Sequence, residues 1–150
     1  MTGYCDASFA NDLVSRKSGY VFTLCNGAVS WESRKQEVTA LSSTEAGYIA
    51  MTHASKEAVF LRGFLFELCG RSGSVALFDD NISALKLSEH PGFHARTKHI
   101  DVRYHYVREL CKLERISVSH LSTKEMPADV LTKGLKTTSH IKCVGNFGIC

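Results

Sequence analysis

The sequence predicts one α/β domain on a five-stranded mixed sheet: three antiparallel strands, then two parallel βα units, with helices on both faces. Three observations lead there. Residues 3–33 hold three β-rich segments joined by short turns. From residue 42 the apolar positions switch to helical spacing. Two later apolar runs, 74–78 and 116–121, are each followed by helical sequence. A meander followed by βα units gives a mixed sheet with helices against it. Right-handed crossovers place the fourth strand beside the first.

Taken in order, residues 3–9 are the first strand and 18–24 (SGYVFTL) the second, aromatic and β-branched. Cys25-Asn26-Gly27 is a hairpin turn, because Asn and Gly tolerate positive φ. Residues 28–33 (AVSWES) are the third strand. Ala46, Ala50, Ala54, Ala58, Leu61, Leu65 and Leu68 form one face of a long helix. Its small alanines permit close approach to a sheet. Ser42-x-x-Glu45 is a capping box at its start, and Gly70 is the stop. Residues 74–78 (SVALF) are a buried fourth strand ending at Asp79-Asp80-Asn81. A short helix spans 81–89, halted before Pro91. Ile100, Tyr104, Val107 and Cys111 mark another amphipathic helix to about Glu114. Residues 116–121 (ISVSHL) are the fifth strand, and Pro127 opens a last short helix. Domain bounds of 1–135 follow, with 136–150 a tail of weak periodicity and no assigned structure.

Composition narrows the class. A chain of 150 residues, 44% hydrophobic and 22% charged, has the makeup of a soluble globular domain. No apolar run has the length of a membrane span, and no secretory signal is present. The six cysteines form no C-x-x-C pair, which argues against a zinc ribbon or redox motif; they read as reduced thiols, several filling the core. A net charge of +3 permits a polyanionic partner without requiring one.

Asp6 is the anomaly. It interrupts a strand (GYCDASF) in which a carboxylate has neither a cap nor a helix dipole to serve. The predicted topology brings Asp80 beside it, and the starts of two helices carry Glu45 and Asp129 over the same region. Four converging carboxylates repel unless protonated or bridged by cations. Magnesium is the natural bridge, and two such ions suit phosphodiester hydrolysis. Each acid except Asp6 also has a structural reading: Glu45 completes a capping box, Asp129 favours a helix dipole, and Asp80 caps the helix that follows. Asp79 is the local rival to Asp80. Strand alternation puts the two on opposite faces, so only one joins the cluster.

Seven blocks in order then resemble the ribonuclease H domain of copia-type (Pseudoviridae-like) LTR retrotransposon Pol polyproteins. They are GYCDASFAND, SRKSGYVFTLCNGAVSWESRKQ, ALSSTEAGYIA, KEAVFLR, DDNISAL, FHARTKHIDVRYHYVRE and PADVLTK. The resemblance covers about residues 3–135. It implies the ribonuclease H-like fold and carries that family's acidic quartet onto Asp6, Glu45, Asp80 and Asp129, as catalytic residues and metal ligands. It further implies two magnesium ions, with manganese as a substitute, and hydrolysis of the RNA strand of an RNA–DNA hybrid to 3′-hydroxyl and 5′-phosphate ends. A reverse transcriptase domain upstream, a cytoplasmic virus-like particle for an intact element, and no membrane partner are the associated expectations.

The chain departs from the family pattern at three points. Ser8 replaces a second acid, Gly47 replaces the glutamate of E-A-E-Y, and RKSGY is about two residues short. Gly47 inside a helix costs about 1 kcal/mol relative to alanine. Between Asp80 and Asp129 lies a basic stretch with His94, Arg96, Lys98, His99, Arg103 and His105. Arg96, Lys98 and Arg103 are the candidate contacts to the hybrid backbone; the alternative is a solvated helix face. No histidine occupies 121–128, so none is assigned to catalysis. Trp31 and Tyr20 read as core or sheet-face residues.

Three functions compete. The leading one is the hybrid-specific ribonuclease. The alternative is a catalytically decayed, nucleic-acid-binding remnant on the same fold. An integrase or resolvase is disfavoured by PADVLTK and RTKHIDVRYHYVRE.

Overall fold

The computed structural model describes residues 1–9, 16–37, 39–70, 73–89 and 98–148. The chain begins with three antiparallel strands: β1 (Thr2–Ser8), β2 (Lys17–Leu24) and β3 (Gly27–Lys35). Cys25 and Asn26 both take positive φ, at 51° and 64°, so the β2–β3 turn has the left-handed backbone that matches strand twist. Helix α1 (Ser43–Cys69) follows. The Ser42 hydroxyl accepts from the Glu45 N–H, and Gly70 closes the helix at φ 67°. Strand β4 (Val75–Asp79), helices α2 (Ile82–Glu89) and α3 (Lys98–Lys112), and strand β5 (Ile116–His120) come next. A 3-10 turn (Thr123–Glu125), α4 (Asp129–Thr132) and α5 (Thr137–Gly145) complete the order.

The sheet order is β3-β2-β1-β4-β5, with β1 central, antiparallel to β2 and parallel to β4. Strand alternation divides the core between two faces. Cys5, Phe22 and Leu77 pack against Tyr48, Met51, Ala54 and Ala58 of α1 and against α2 and α3. On the other face, Val21 and Tyr4 pack with Met126, Ala128 and Phe147. Asp6 shares the face of Tyr4 and so looks toward α4. Across the β1–β4 ladder Cys5 is paired with Asp79. Asp79 therefore belongs to the α1 face, and Asp80 turns to the other.

The structure differs from the sequence reading in two places. Residues 137–145 form α5 where no structure was expected. Weak periodicity hid it because its anchors are tertiary: Cys143 and Phe147 are buried, and the Phe147 carbonyl accepts from the Ala28 N–H at 2.9 Å. The predicted apolar face of α1 is buried only in its first half. Leu68 is 65% exposed, and Phe60 and Phe64, exposed too, lie on the helix side away from Ala54 and Ala58. Of the two readings of Trp31, core or sheet face, the structure supports the sheet face: it stands exposed on β3, the edge strand. The five described cysteines are free, with Cys5 and Cys143 buried. Among the described residues no helix is long and apolar enough to cross a membrane.

Candidate active site

Three of the four predicted acids meet. One carboxylate oxygen from each of Asp6, Asp80 and Asp129 lies within 4.8 Å of the others. Asp6 comes from the central strand, Asp80 from the residue after β4, and Asp129 from the first turn of α4. The parallel pairing of β1 with β4 sets the first two side by side. α4 is brought in by a close approach at Gly19, whose ladder partner is Asp6. A Cβ on Gly19 would stand 2.7 Å from the Leu131 Cβ and 3.1 Å from Thr132 Cγ2. A bare backbone at that position lets α4 sit against the sheet.

Each acid is held. The Thr132 hydroxyl donates to Asp6 Oδ2, and Lys133 Nζ donates to Asp6 Oδ1 at 3.2 Å and to Asp129 Oδ1 at 2.9 Å. The Thr123 hydroxyl donates to Asp80 Oδ2 at 2.7 Å. Burial pushes the Asp129 carboxyl upward, and Asp6 and Asp80 add repulsion that Lys133 partly relieves. Burial works against the Lys133 ammonium, but Asp6 and Asp129 outweigh it and raise its pKa.

Glu45, the fourth expected acid, is not in that group as its side chain is placed here. Its Oε2 accepts from the Leu41 N–H at 2.7 Å, turning the carboxylate back over the start of α1. This is the capping reading, with the bond reaching one residue further back than in the standard box. The other oxygen, Oε1, is buried with no hydrogen-bond partner. An acceptor in that state is costly unless something fills it.

Asp79, the rival to Asp80, has a different part. It is buried on the α1 face, accepts from the Cys5 thiol at 3.3 Å and from the Asn81 N–H at 2.7 Å, and fixes the turn that carries Asp80. Burial pushes its carboxyl up to about 7, despite the Asn81 and Cys5 donors. Asn81 in turn ties three elements together. Its Nδ2 donates to the Ser43 carbonyl, and its Oδ1 accepts from the Ala84 N–H. Gly47 makes room for it: a Cβ there would meet Asn81 Nδ2 at 3.0 Å. The glycine that weakens α1 by propensity thus admits the side chain that docks α1 onto the Asp80 turn.

Of the basic candidates, Arg96 lies outside the described residues and Lys98 is the first residue of α3. Arg103 is half-buried in α3, with Nη1 buried and unpartnered. His53 of α1 is held low by burial and by Arg103 nearby. The short lead into β2 falls on residues 10–15, also outside those described. Sequence reasoning left Thr132, Lys133 and Thr123 unassigned. Lys133 follows Asp129 by four residues, a spacing that pairs opposite charges on a helix and marks it as a partner.

The donor set fits a hard divalent cation: three clustered carboxylates with an ammonium already drawn among them. Asp6, Asp80 and Asp129 are the residues whose oxygens are gathered closely enough to hold it.

No family model matches the chain. Over 135 residues (89% of the chain) it is 49% identical to the retrovirus-related Pol polyprotein from transposon TNT 1-94 of Nicotiana tabacum, and over 149 residues (97% of the chain) 35% identical to that from transposon RE1 of Arabidopsis thaliana. It spans about 10% of the length of these curated relatives. In structure it is similar to LC11 RNase H1 solved with an RNA/DNA hybrid: TM-score 0.61, 16% identity, covering 87% of this chain and 91% of that one. It is also similar to the Prototype Foamy Virus protease-reverse transcriptase, with TM-score 0.56, 15% identity, and coverage of 97% of this chain and 19% of that one. The chain thus has the ribonuclease H fold and is homologous to a segment of the retrovirus-related Pol polyproteins of plant transposons.

Proposed function

We propose that this domain is the ribonuclease H of a copia-type retrotransposon Pol polyprotein, hydrolysing the RNA strand of RNA–DNA hybrids with magnesium. The observation that carries the proposal is the meeting of Asp6, Asp80 and Asp129 on a ribonuclease H fold, from positions scattered along the chain. In this reading Asp6 is the most rigid ligand, fixed in the central strand and oriented by Thr132. Asp80 is set by the turn that Asp79 and Asn81 lock. Asp129 arrives on α4, and Glu45 offers its free oxygen. When bound, two magnesium ions, or manganese in their place, acidify a water and neutralise charge on the leaving oxygen, which gives 3′-hydroxyl and 5′-phosphate ends. Arg96, Lys98 and Arg103 hold the hybrid backbone without reading sequence. The foamy-virus likeness, to a protease-reverse transcriptase, and the Pol polyprotein relatives support a reverse transcriptase as the partner domain in the polyprotein; a cytoplasmic virus-like particle is the setting this reading implies.

Digestion of a labelled RNA–DNA hybrid tests the reading. Cleavage of the RNA strand is expected with magnesium, and its loss is expected in EDTA and in Asp80→Asn. A parent protein that binds hybrid in magnesium yet leaves the RNA intact would overturn the enzyme reading in favour of the binding remnant.

A further inference from the structure

Lys133 is as much a member of the acid cluster as the three aspartates. Its ammonium bridges Asp6 and Asp129, one turn after the latter on the same short helix. It is the C-cap residue of α4, with extended backbone (φ −133°, ψ 148°), so its stem is not locked into the helix. One segment therefore delivers both a metal-ligand candidate and a cation that neutralises it. Asp6 also accepts from the Thr132 hydroxyl, while Asp80 and Glu45 have the Thr123 hydroxyl and the Leu41 N–H as donors. Lys133 is the one cation with ion pairs to the cluster among the described residues.

We propose that Lys133 is an exchangeable counter-ion: it closes the acid cluster in the absence of metal and withdraws from Asp6 and Asp129 when a divalent cation binds. The proposal rests on the metal-site reading above. Three gathered carboxylates repel one another, and an ammonium between two of them relieves that repulsion. A divalent ion draws on the same oxygens and repels the ammonium, so the two cannot hold them together. Lysine suits such an exchange, because its charge is compact and its stem flexible, whereas an arginine fork would engage a carboxylate in fixed geometry. Two consequences follow. The domain keeps a satisfied site before metal arrives, and metal binds more weakly than the bare acids would allow.

The test uses the intact chain. Lysine acylation is followed residue by residue by mass spectrometry in EDTA and across a magnesium titration, with exposed Lys112 as internal reference. The expected result is a several-fold rise in Lys133 acylation with the same midpoint as the magnesium-induced rise in melting temperature, and no change at Lys112. Lys133→Met should melt lower in EDTA and bind magnesium about tenfold more tightly, the effect of ~1.4 kcal/mol. Melting curves that report magnesium binding while Lys133 acylation stays flat would overturn the exchange alone. Weaker magnesium binding by Lys133→Met would do the same. Melting curves insensitive to magnesium would overturn the metal-site reading and the exchange with it.

Discussion

Gly19 and Leu131 approach so closely that a Cβ on the glycine would stand 2.7 Å from the Cβ of the leucine. The contact joins β2 to the helix that supplies Asp129, Thr132 and Lys133. Gly19→Ala must push α4 away from the sheet. The expected cost is about 1–3 kcal/mol in urea unfolding. A second expected outcome is a smaller magnesium-induced rise in melting temperature, since Asp129 moves relative to Asp6. A variant as stable and as metal-responsive as the parent would show that α4 is not positioned through this contact.

Glu45→Gln separates capping from metal binding. Glutamine still offers an oxygen to the Leu41 N–H, so the start of α1 is kept and stability should change by no more than about 0.5 kcal/mol. The charge is lost, and hybrid cleavage in magnesium should fall by more than about tenfold. Unchanged cleavage at saturating magnesium would leave Glu45 a cap and nothing else.

Asp79 carries a pH signature. Its carboxyl sits near 7 in the folded chain against an ordinary 3.8, so the fold favours the protonated form. That contribution is fully present below about pH 4 and is lost as pH rises toward and through 7. Asp79→Asn keeps the shape and removes the titration. Relative to this variant, the parent should lose on the order of 4 kcal/mol between pH 4 and 8, at ~1.4 kcal/mol per pH unit of pKa difference. Urea unfolding of both proteins in EDTA measures the gap. A gap that does not change with pH would contradict the protonated state.

Lys98→Ala and Arg103→Ala probe the hybrid surface. Each should weaken binding about equally for every hybrid sequence and lower the salt slope by about 1 per phosphate contact removed. Fluorescence anisotropy across a salt series reads both quantities. Affinities and slopes equal to the parent's would remove Lys98 and Arg103 from the hybrid contacts.

Local features were legible in the sequence because local chemistry determines them. The Cys25–Asn26 turn, the Ser42 cap and the Gly70 stop each follow from residues that tolerate or demand one backbone state. Residue pattern alone did not separate Asp80 from Asp79; the resemblance chose Asp80, and the pairing of Cys5 with Asp79 gives the parity of β4 that places it. The position of Glu45 was not legible, because it turns on side-chain torsions that decide between a backbone N–H and the other acids. Helix α5 was not legible either: Phe147 and Cys143 hold it through contacts with β2, β3 and the turn before α4, and these leave no periodic trace. The reverse holds at Gly47, where propensity alone signalled weakness and the neighbouring Asn81 explains the glycine.

Asp6 and its Thr132 partner are 126 residues apart in the chain. Ribosomes add about 5–20 residues per second, so Asp6 is made roughly 6–25 s before the hydroxyl that orients it. The central strand, the first helix and most of the core precede α4 off the ribosome. The acid cluster therefore closes only once α4 has been made, and a nascent chain stopped short of residue 129 has its sheet residues but lacks both the third carboxylate and the ammonium. Synthesis of the α4 segment, rather than formation of the sheet, sets the moment at which this site first exists.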